Sequence, residues 1–243
     1  PRPTRVFHVG TEPVPVLVSS SPAVVTRPPD WPAHVRLTGY WFLDEGSGWT
    51  ASADLEAFLA GGDKPYGVGF GSLPIMDDAP SADLVFSAIR KVGRRALVIR
   101  GSCGHVPEDL GGLGDNIHVI DGAPYDALLP RLHGLMFHGG AGTTADCLRA
   151  GSPSLAAPLG YDNRYWANRL RALKLGPAAL PRKRWTVDRL ARSIDDMVSN
   201  PVYAENARRI AEVIAGEDGL AVALDAVRSH VGAPGLAQAR TAG

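Results

Sequence analysis

The stretch LMFHGGAGTT, residues 135–144, decides how the chain is read. A short apolar run ends in His138, two glycines, Ala141, Gly142 and two threonines. A helix-like segment, residues 143–150, follows and is closed by Gly151. A strand that hands glycines to a helix N-terminus makes a site for phosphate. The glycines admit close approach of the backbone, and the first helical amides have no intrahelical acceptor. Thr143 and Thr144 add hydroxyl donors, and His138 at the strand end can donate to a phosphate oxygen. The same pattern also serves as a plain strand-to-helix turn that needs glycine for its dihedrals.

The following residues, RAGSPSLAAPLGYDNRYWANRL at 149–170, repeat the plan. Residues 154–157 read as a buried strand ended by Pro158 and Gly160. Asp162, Asn163 and Arg164 then precede a helical pattern with Trp166, Leu170 and Leu173 at i, i+4 and i+7. Two successive strand–loop–helix units thus carry polar groups at the same strand ends, the edge where open α/β sheets bind ligands. An Asp beside an Asn offers acceptors and donors suited to vicinal hydroxyls. Asp162 could equally cap the helix that follows it.

Further out, strands and helices alternate. Val35–Trp41 reads as a strand, Ser52–Ala60 as a helix and Tyr66–Phe70 as the first strand of a sheet. Leu84, Val85, Ala88, Ile89 and Val92 form one helical face. Residues 96–99, 117–120 and 135–137 are further buried strands. Alternation of this kind predicts an α/β fold, a parallel, doubly wound, Rossmann-like sheet with a helical C-terminus. Ser72 follows a strand in GFGS, within reach of a diphosphate. Gly71, Arg100 and Ser102 follow strands at the same edge and are candidate cleft residues. The run Arg182, Lys183, Arg184 reads as solvated surface, Asp146 as an exposed or helix-stabilising residue, and Trp166 as core.

Composition narrows the function classes. The 243 residues contain 25 Lys plus Arg against 25 Asp plus Glu, so no global charge points to nucleic acid or to a membrane surface. Hydrophobic residues make up 45%, enough for a sizeable core. Two cysteines, Cys103 and Cys147, are too few for a disulfide framework, and Cys147 reads as a buried helical thiol. No apolar run approaches membrane-spanning length, no signal peptide is visible, and the setting is read as cytoplasmic. His105, His118 and His133 lack metal-ligand spacing, so no metal and no cofactor are expected. The proline-rich segment 1–32 reads as a linker arm, 33–231 as one domain, and 232–243 as a disordered tail.

The segment FHGGAGTTADCLRAGSPSLAAPLGYDNRYWANRL, residues 137–170, resembles the nucleotide-sugar signature of family 1 glycosyltransferases with a GT-B fold. The likeness is strongest to the sterol 3-beta-glucosyltransferase branch and to bacterial antibiotic glycosyltransferases. Three further blocks agree in order: SPAVVTRPPDWPAHVRLTGYWF at 21–42, GVGFGSL at 67–73 and DGAPYDALLPR at 121–131. The resemblance implies one half of a GT-B enzyme, the half that holds the nucleotide-sugar. It implies diphosphate contacts from His138, Gly140, Ala141, Gly142, Thr143 and Ser72, and nucleobase contacts from Ala123 and Pro124, mainly through backbone. Asp162 and Asn163 would contact the sugar. It implies inverting transfer of a hexose, with UDP-glucose as the expected donor, to a small lipophilic acceptor such as a sterol or natural product. The acceptor domain and the catalytic base would lie in an N-terminal half not found here. His8, in VFHVGTEP, lacks the glycine-rich loop expected beside that base and is not given the role. In the family the last helix packs on the N-terminal domain, so an uncovered apolar face is expected there. Two departures stand out: Phe137 replaces the first of two consecutive histidines, and Asp162–Asn163 replaces an Asp–Gln pair, which unsettles glucose specificity. A nucleotide-sugar epimerase and a non-catalytic nucleotide-sugar-binding module are the alternatives.

Overall fold

A computed structural model describes residues 8–9, 12–70, 79–100 and 114–231. In chain order these give β1 (His8–Val9), β2 (Glu12–Pro13), β3 (Val16–Val18), β4 (Val35–Leu37), α1 (Ala53–Ala60), β5 (Tyr66–Gly69), α2 (Ala79–Val92), β6 (Ala96–Ile99) and β7 (Ile117–Ile120). There follow α3 (Tyr125–Leu128), β8 (Leu135–Phe137), α4 (Ala141–Arg149), β9 (Ser154–Ala156), α5 (Asn163–Ala172), α6 (Val187–Ser199), α7 (Pro201–Ala215) and α8 (Gly219–Val231). The chain divides into two compact units, one of residues 44–211 and one of residues 1–43 with 212–243. The sequence reading draws its boundaries at 33 and 231 instead.

In the larger unit, five strands form one sheet in the order β7-β6-β5-β8-β9. Every pairing in it is parallel. The chain starts at the central β5, steps outward through β6 and β7, then returns to the other side of β5 with β8 and β9. This is the doubly wound α/β fold expected from the alternation of elements. Its topological switch point lies between the carboxyl ends of β5 and β8. β5, β6, β8 and β9 are buried at every position, as strands covered on both faces must be. Met136 and Leu155 join Val85, Phe86 and Ile89 of α2 and Leu190, Ile194 and Met197 of α6 in a single core. Full burial of one such side chain contributes about 1.5–3 kcal/mol. Cys147 is buried as expected, and burial pushes its thiol up to about 12.

The smaller unit holds the parallel pair β3–β4, with Val16 opposite Val35. The strand expected over 35–41 stops at Leu37, because Gly39 takes a φ of 91°. Glu217 accepts a 2.6 Å hydrogen bond from Ser21 and joins the two ends of this unit. In α8, Gly219, Ala223 and Ala226 are buried. Leu220, Leu224, Val227 and Val231, spaced four, three and four residues apart, are exposed. The apolar face expected to be uncovered on the last helix is thus exposed. The tail expected to be disordered, from Gly232, lies outside the described residues.

Candidate functional site: the turn after β8

β8 delivers its chain to the switch point, and His138, Gly139 and Gly140 make the turn. Gly139 sits at φ 86°, a left-handed conformation that a side chain would strain. Gly140 is the N-cap of α4, and a Cβ there would lie 2.2 Å from His138 Nε2. The imidazole therefore lies over the start of the helix, in space that only glycine leaves free. Two other helices in the same unit make a contrast, although α3 and α5 also lack a side-chain cap. Ser52 Oγ accepts from Leu55 N–H at the start of α1, and Thr186 Oγ1 accepts from Arg189 N–H at the start of α6. α4 has no side-chain cap and no acidic residue in its first turn. Its first intrahelical bond is Thr144 N–H to Gly140 C=O, at 2.9 Å. The amides of Ala141, Gly142 and Thr143 are thus left to an outside acceptor, at the positive end of the helix dipole.

Ala141 and Gly142 are exposed and Thr143 is half-buried. Thr144 is fully buried, with its hydroxyl unpaired inside the fold, so it is no ligand donor. This corrects the reading of both threonines as donors: one residue along a helix turns the side chain by about 100°. Burial holds His138 below the ordinary histidine range, and the Asp162 carboxylate partly opposes the shift. Its Nδ1 is buried without a partner. Ser72 and Gly71, assigned to the facing loop after β5, and Ser102 lie outside the described residues.

The loop after β9 touches the turn after β8. A Cβ on Gly139 would meet the Asn163 carbonyl oxygen at 3.2 Å. Asp162 is exposed rather than buried and occupies the N-cap of α5 without capping it. Its Oδ2 accepts a 2.8 Å hydrogen bond from Trp166 Nε1. Neither sequence alternative, ligand or simple cap, describes that bond. Trp166 itself is core, as expected. Asn163 is only 3% exposed and its Oδ1 lies 3.5 Å from Gly160 N–H, so the side chain is turned into the loop. Between them stands Tyr161, 95% exposed at φ 50°, a conformation unusual for a bulky residue.

Ala123 and Pro124 follow β7 and are half-buried, with Pro124 at the N-cap of α3. The Tyr125 hydroxyl beside them lies 3.2 Å from the position of a Cβ on Gly69, at the end of β5. This segment therefore reaches back over β6 toward the switch point. Arg100 does not join the group. It lines a cavity of about 520 Å³ with Trp49, Ser52, His118 and Asp121, and its nearest acidic atom is Asp121 Oδ1 at 3.5 Å. Asp146, read from sequence as exposed or helix-stabilising, is half-buried. Burial, with Asp126 and Glu45 nearby, pushes its carboxyl up to about 6. No local pattern marks it, because its environment comes from α3 and from residues 44–45. Among the described residues no cluster of three or more His, Cys, Asp or Glu side chains is placed to hold a metal. None of the helices there is long and apolar enough to cross a membrane.

A parallel sheet with a bare helix N-terminus at its switch point is shared by many nucleotide-binding folds, and comparison with known proteins decides among them. Residues 96–220 match the family of the erythromycin biosynthesis protein CIII-like, C-terminal domain. The chain belongs to that family. Over 209 residues it is 38% identical to O-mycaminosyltylonolide 6-deoxyallosyltransferase of Streptomyces fradiae, covering 86% of this chain and 48% of that protein. It is 33% identical over 232 residues to a sterol 3-beta-glucosyltransferase of Arabidopsis thaliana, covering 93% of this chain and 36% of that protein. The EryCIII-like domain thus spans less than half the length of these relatives. Among solved structures it superposes on the glycosyltransferase VinC in complex with DTDP at TM-score 0.56 and 23% identity, over 70% of this chain and 43% of that one. The kitacinnamycin glycotransferase gives TM-score 0.57 at 21% identity, over 72% and 44%. At such identities the two structures speak to the fold alone, that of GT-B glycosyltransferases.

Proposed function

We propose that this EryCIII-like domain is the donor-binding half of an inverting glycosyltransferase. It holds a nucleoside-diphosphate hexose for transfer to a hydroxyl of a lipophilic acceptor. The observation that carries the reading is the uncapped N-terminus of α4 at the switch point, with His138 over it. The acceptor oxygen attacks the anomeric carbon, and the nucleoside diphosphate leaves with the electron pair of the broken bond. The amides of Ala141, Gly142 and Thr143, the Thr143 hydroxyl and His138 stabilise the charge growing on the leaving phosphate. A metal is not required in this scheme. Ala123 and Pro124 take the base, and the free Asp162 oxygen takes sugar hydroxyls. The general base is assigned to the part of the relatives that this chain does not span.

Glucosyltransferase relatives favour a glucose donor, taken here as UDP-glucose. The 38% identity to a deoxyallosyltransferase favours a second reading, a nucleoside-diphosphate deoxyhexose. Calorimetry with UDP, TDP and their hexose conjugates, with and without a chelator, tests both. Binding of one diphosphate family, indifferent to the chelator, is the expected result. Absence of binding to every diphosphate, or a strict metal requirement, would overturn the reading.

A further inference from the structure

A cavity of about 670 Å³ opens beside the loop after β9, lined by Pro158, Leu159, Arg164, Pro181, Arg182 and Lys183. Of the six described residues that line it, three are cationic and none is acidic. The cations come from two segments that the fold brings together. Leu180 N–H donates to Ala156 C=O at 3.0 Å and ties the 180–183 segment to the end of β9. Arg182 Nε donates to Ser81 Oγ at 3.0 Å, which fixes the direction of that side chain. Arg164 stands in the first turn of α5, where a cation opposes the helix dipole, with the Asp162 carboxylate at the N-cap beside it. Among the described residues neither Arg164 nor Lys183 forms an ion pair. Cationic groups from two segments are thus collected around one concave space that Pro158 and Leu159 also line.

We propose that this cavity is a second anion site, separate from the α4 turn, for a phosphoryl or carboxylate group on a small ligand. A long polyanion does not fit, because the chain as a whole is neutral, with 25 cationic and 25 acidic residues. Guanidinium and ammonium groups that line one space suit a compact anion. The site shares its loop with Asp162 and so borders the donor sugar, which rests on the function proposed above. The anion comes either from the sugar itself, as in a uronic acid, or from a separate acidic ligand.

The test is a calorimetric titration with inorganic phosphate of the whole chain, free and saturated with UDP. A saturable phosphate event that persists beside UDP is expected. The pair Arg164→Ala, Lys183→Ala should weaken it by about tenfold or more, the scale of losing charge-assisted hydrogen bonds. UDP affinity and the thermal midpoint should stay unchanged. Restoring one charge with Arg164→Lys in the Lys183→Ala background should recover part of the binding. Absence of a phosphate event in both forms, or an event indifferent to the double variant, overturns the proposal. Failure of UDP to bind would count against the α4 turn instead, and the titration of the free protein would still decide the second site. Tighter binding of UDP-glucuronate than UDP-glucose, lost in the double variant, assigns the anion to the sugar. Equal affinity with phosphate binding retained assigns it to a separate ligand.

Discussion

The turns after β8 and after β9 are neighbours built on one plan, and they spend their polar groups in opposite ways. At the first, Gly140 offers no side chain to the helix it starts, and the α4 amides remain open. At the second, Asp162 bonds Trp166 and Asn163 is buried within the loop. The first turn is held in shape by what glycine omits; the second is held by its own side chains. Among the described residues, therefore, no side chain claims the amides that an anion would take. Among the described residues of the second turn, the groups left open to a ligand are the second oxygen of Asp162 and the exposed ring of Tyr161.

The largest effect that would break this contrast is expected from Gly140→Ala. The new methyl would lie 2.2 Å from His138 Nε2, so the ring must swing out of its place over α4. Affinity for the nucleoside diphosphate should fall by about 2–4 kcal/mol, combining a steric clash with the loss of a charged hydrogen bond. Wild-type affinity in a calorimetric titration would show that the turn is no anion site.

His138→Ala should weaken diphosphate binding by about 1.5–3 kcal/mol. It should also remove a pH dependence. Burial lowers the His138 pKa in the free protein, so the ring is neutral at pH 7, while a bound anion favours the imidazolium. Affinity should therefore rise as the pH falls toward that lowered pKa and level off below it. Part of the rise will come from the ligand itself, and the variant isolates the remainder. Identical pH profiles for variant and wild type would remove His138 from the site.

At the second turn, Asp162→Ala should weaken nucleotide-sugar binding by about 1–3 kcal/mol and leave the bare diphosphate nearly unaffected. Asp162→Asn, which keeps an acceptor for Trp166 Nε1, should retain thermal stability yet bind the sugar less well. Equal weakening of both ligands in Asp162→Ala would mean that the residue only holds the loop.

The smallest effect is expected behind the first turn, at Asp146. Its pKa is raised from 3.8 to about 6 in the fold, so the charged form carries a penalty at neutral pH that the unfolded chain does not. Asp146→Asn should stabilise the protein at pH 7–8 by about 1 kcal/mol, a value discounted for partial solvent screening. The gain should shrink as the pH falls from about 6 toward 4, where the folded wild-type group is already neutral. Chemical denaturation at several pH values would reveal a constant gain if burial is not the cause.

By itself the sequence determined the alternation of strands and helices, the doubly wound class, the glycine turn after β8 and the absence of a capping side chain on α4. These are local properties: apolar periodicity, glycine placement and cap chemistry are written within a few residues. Only the tertiary structure decided that β8 pairs with β5, which puts the turn at the switch point. It also turned Thr144 inward while Thr143 stayed half-exposed, buried Asn163, gave Asp162 to Trp166 and raised Asp146. The same folding set Arg164 beside Arg182 and Lys183, which the sequence presents as one helix-start residue and one surface run. The physical reason is range. A side chain's direction and desolvation are fixed by elements that arrive from elsewhere in the chain, and no local pattern encodes their arrival.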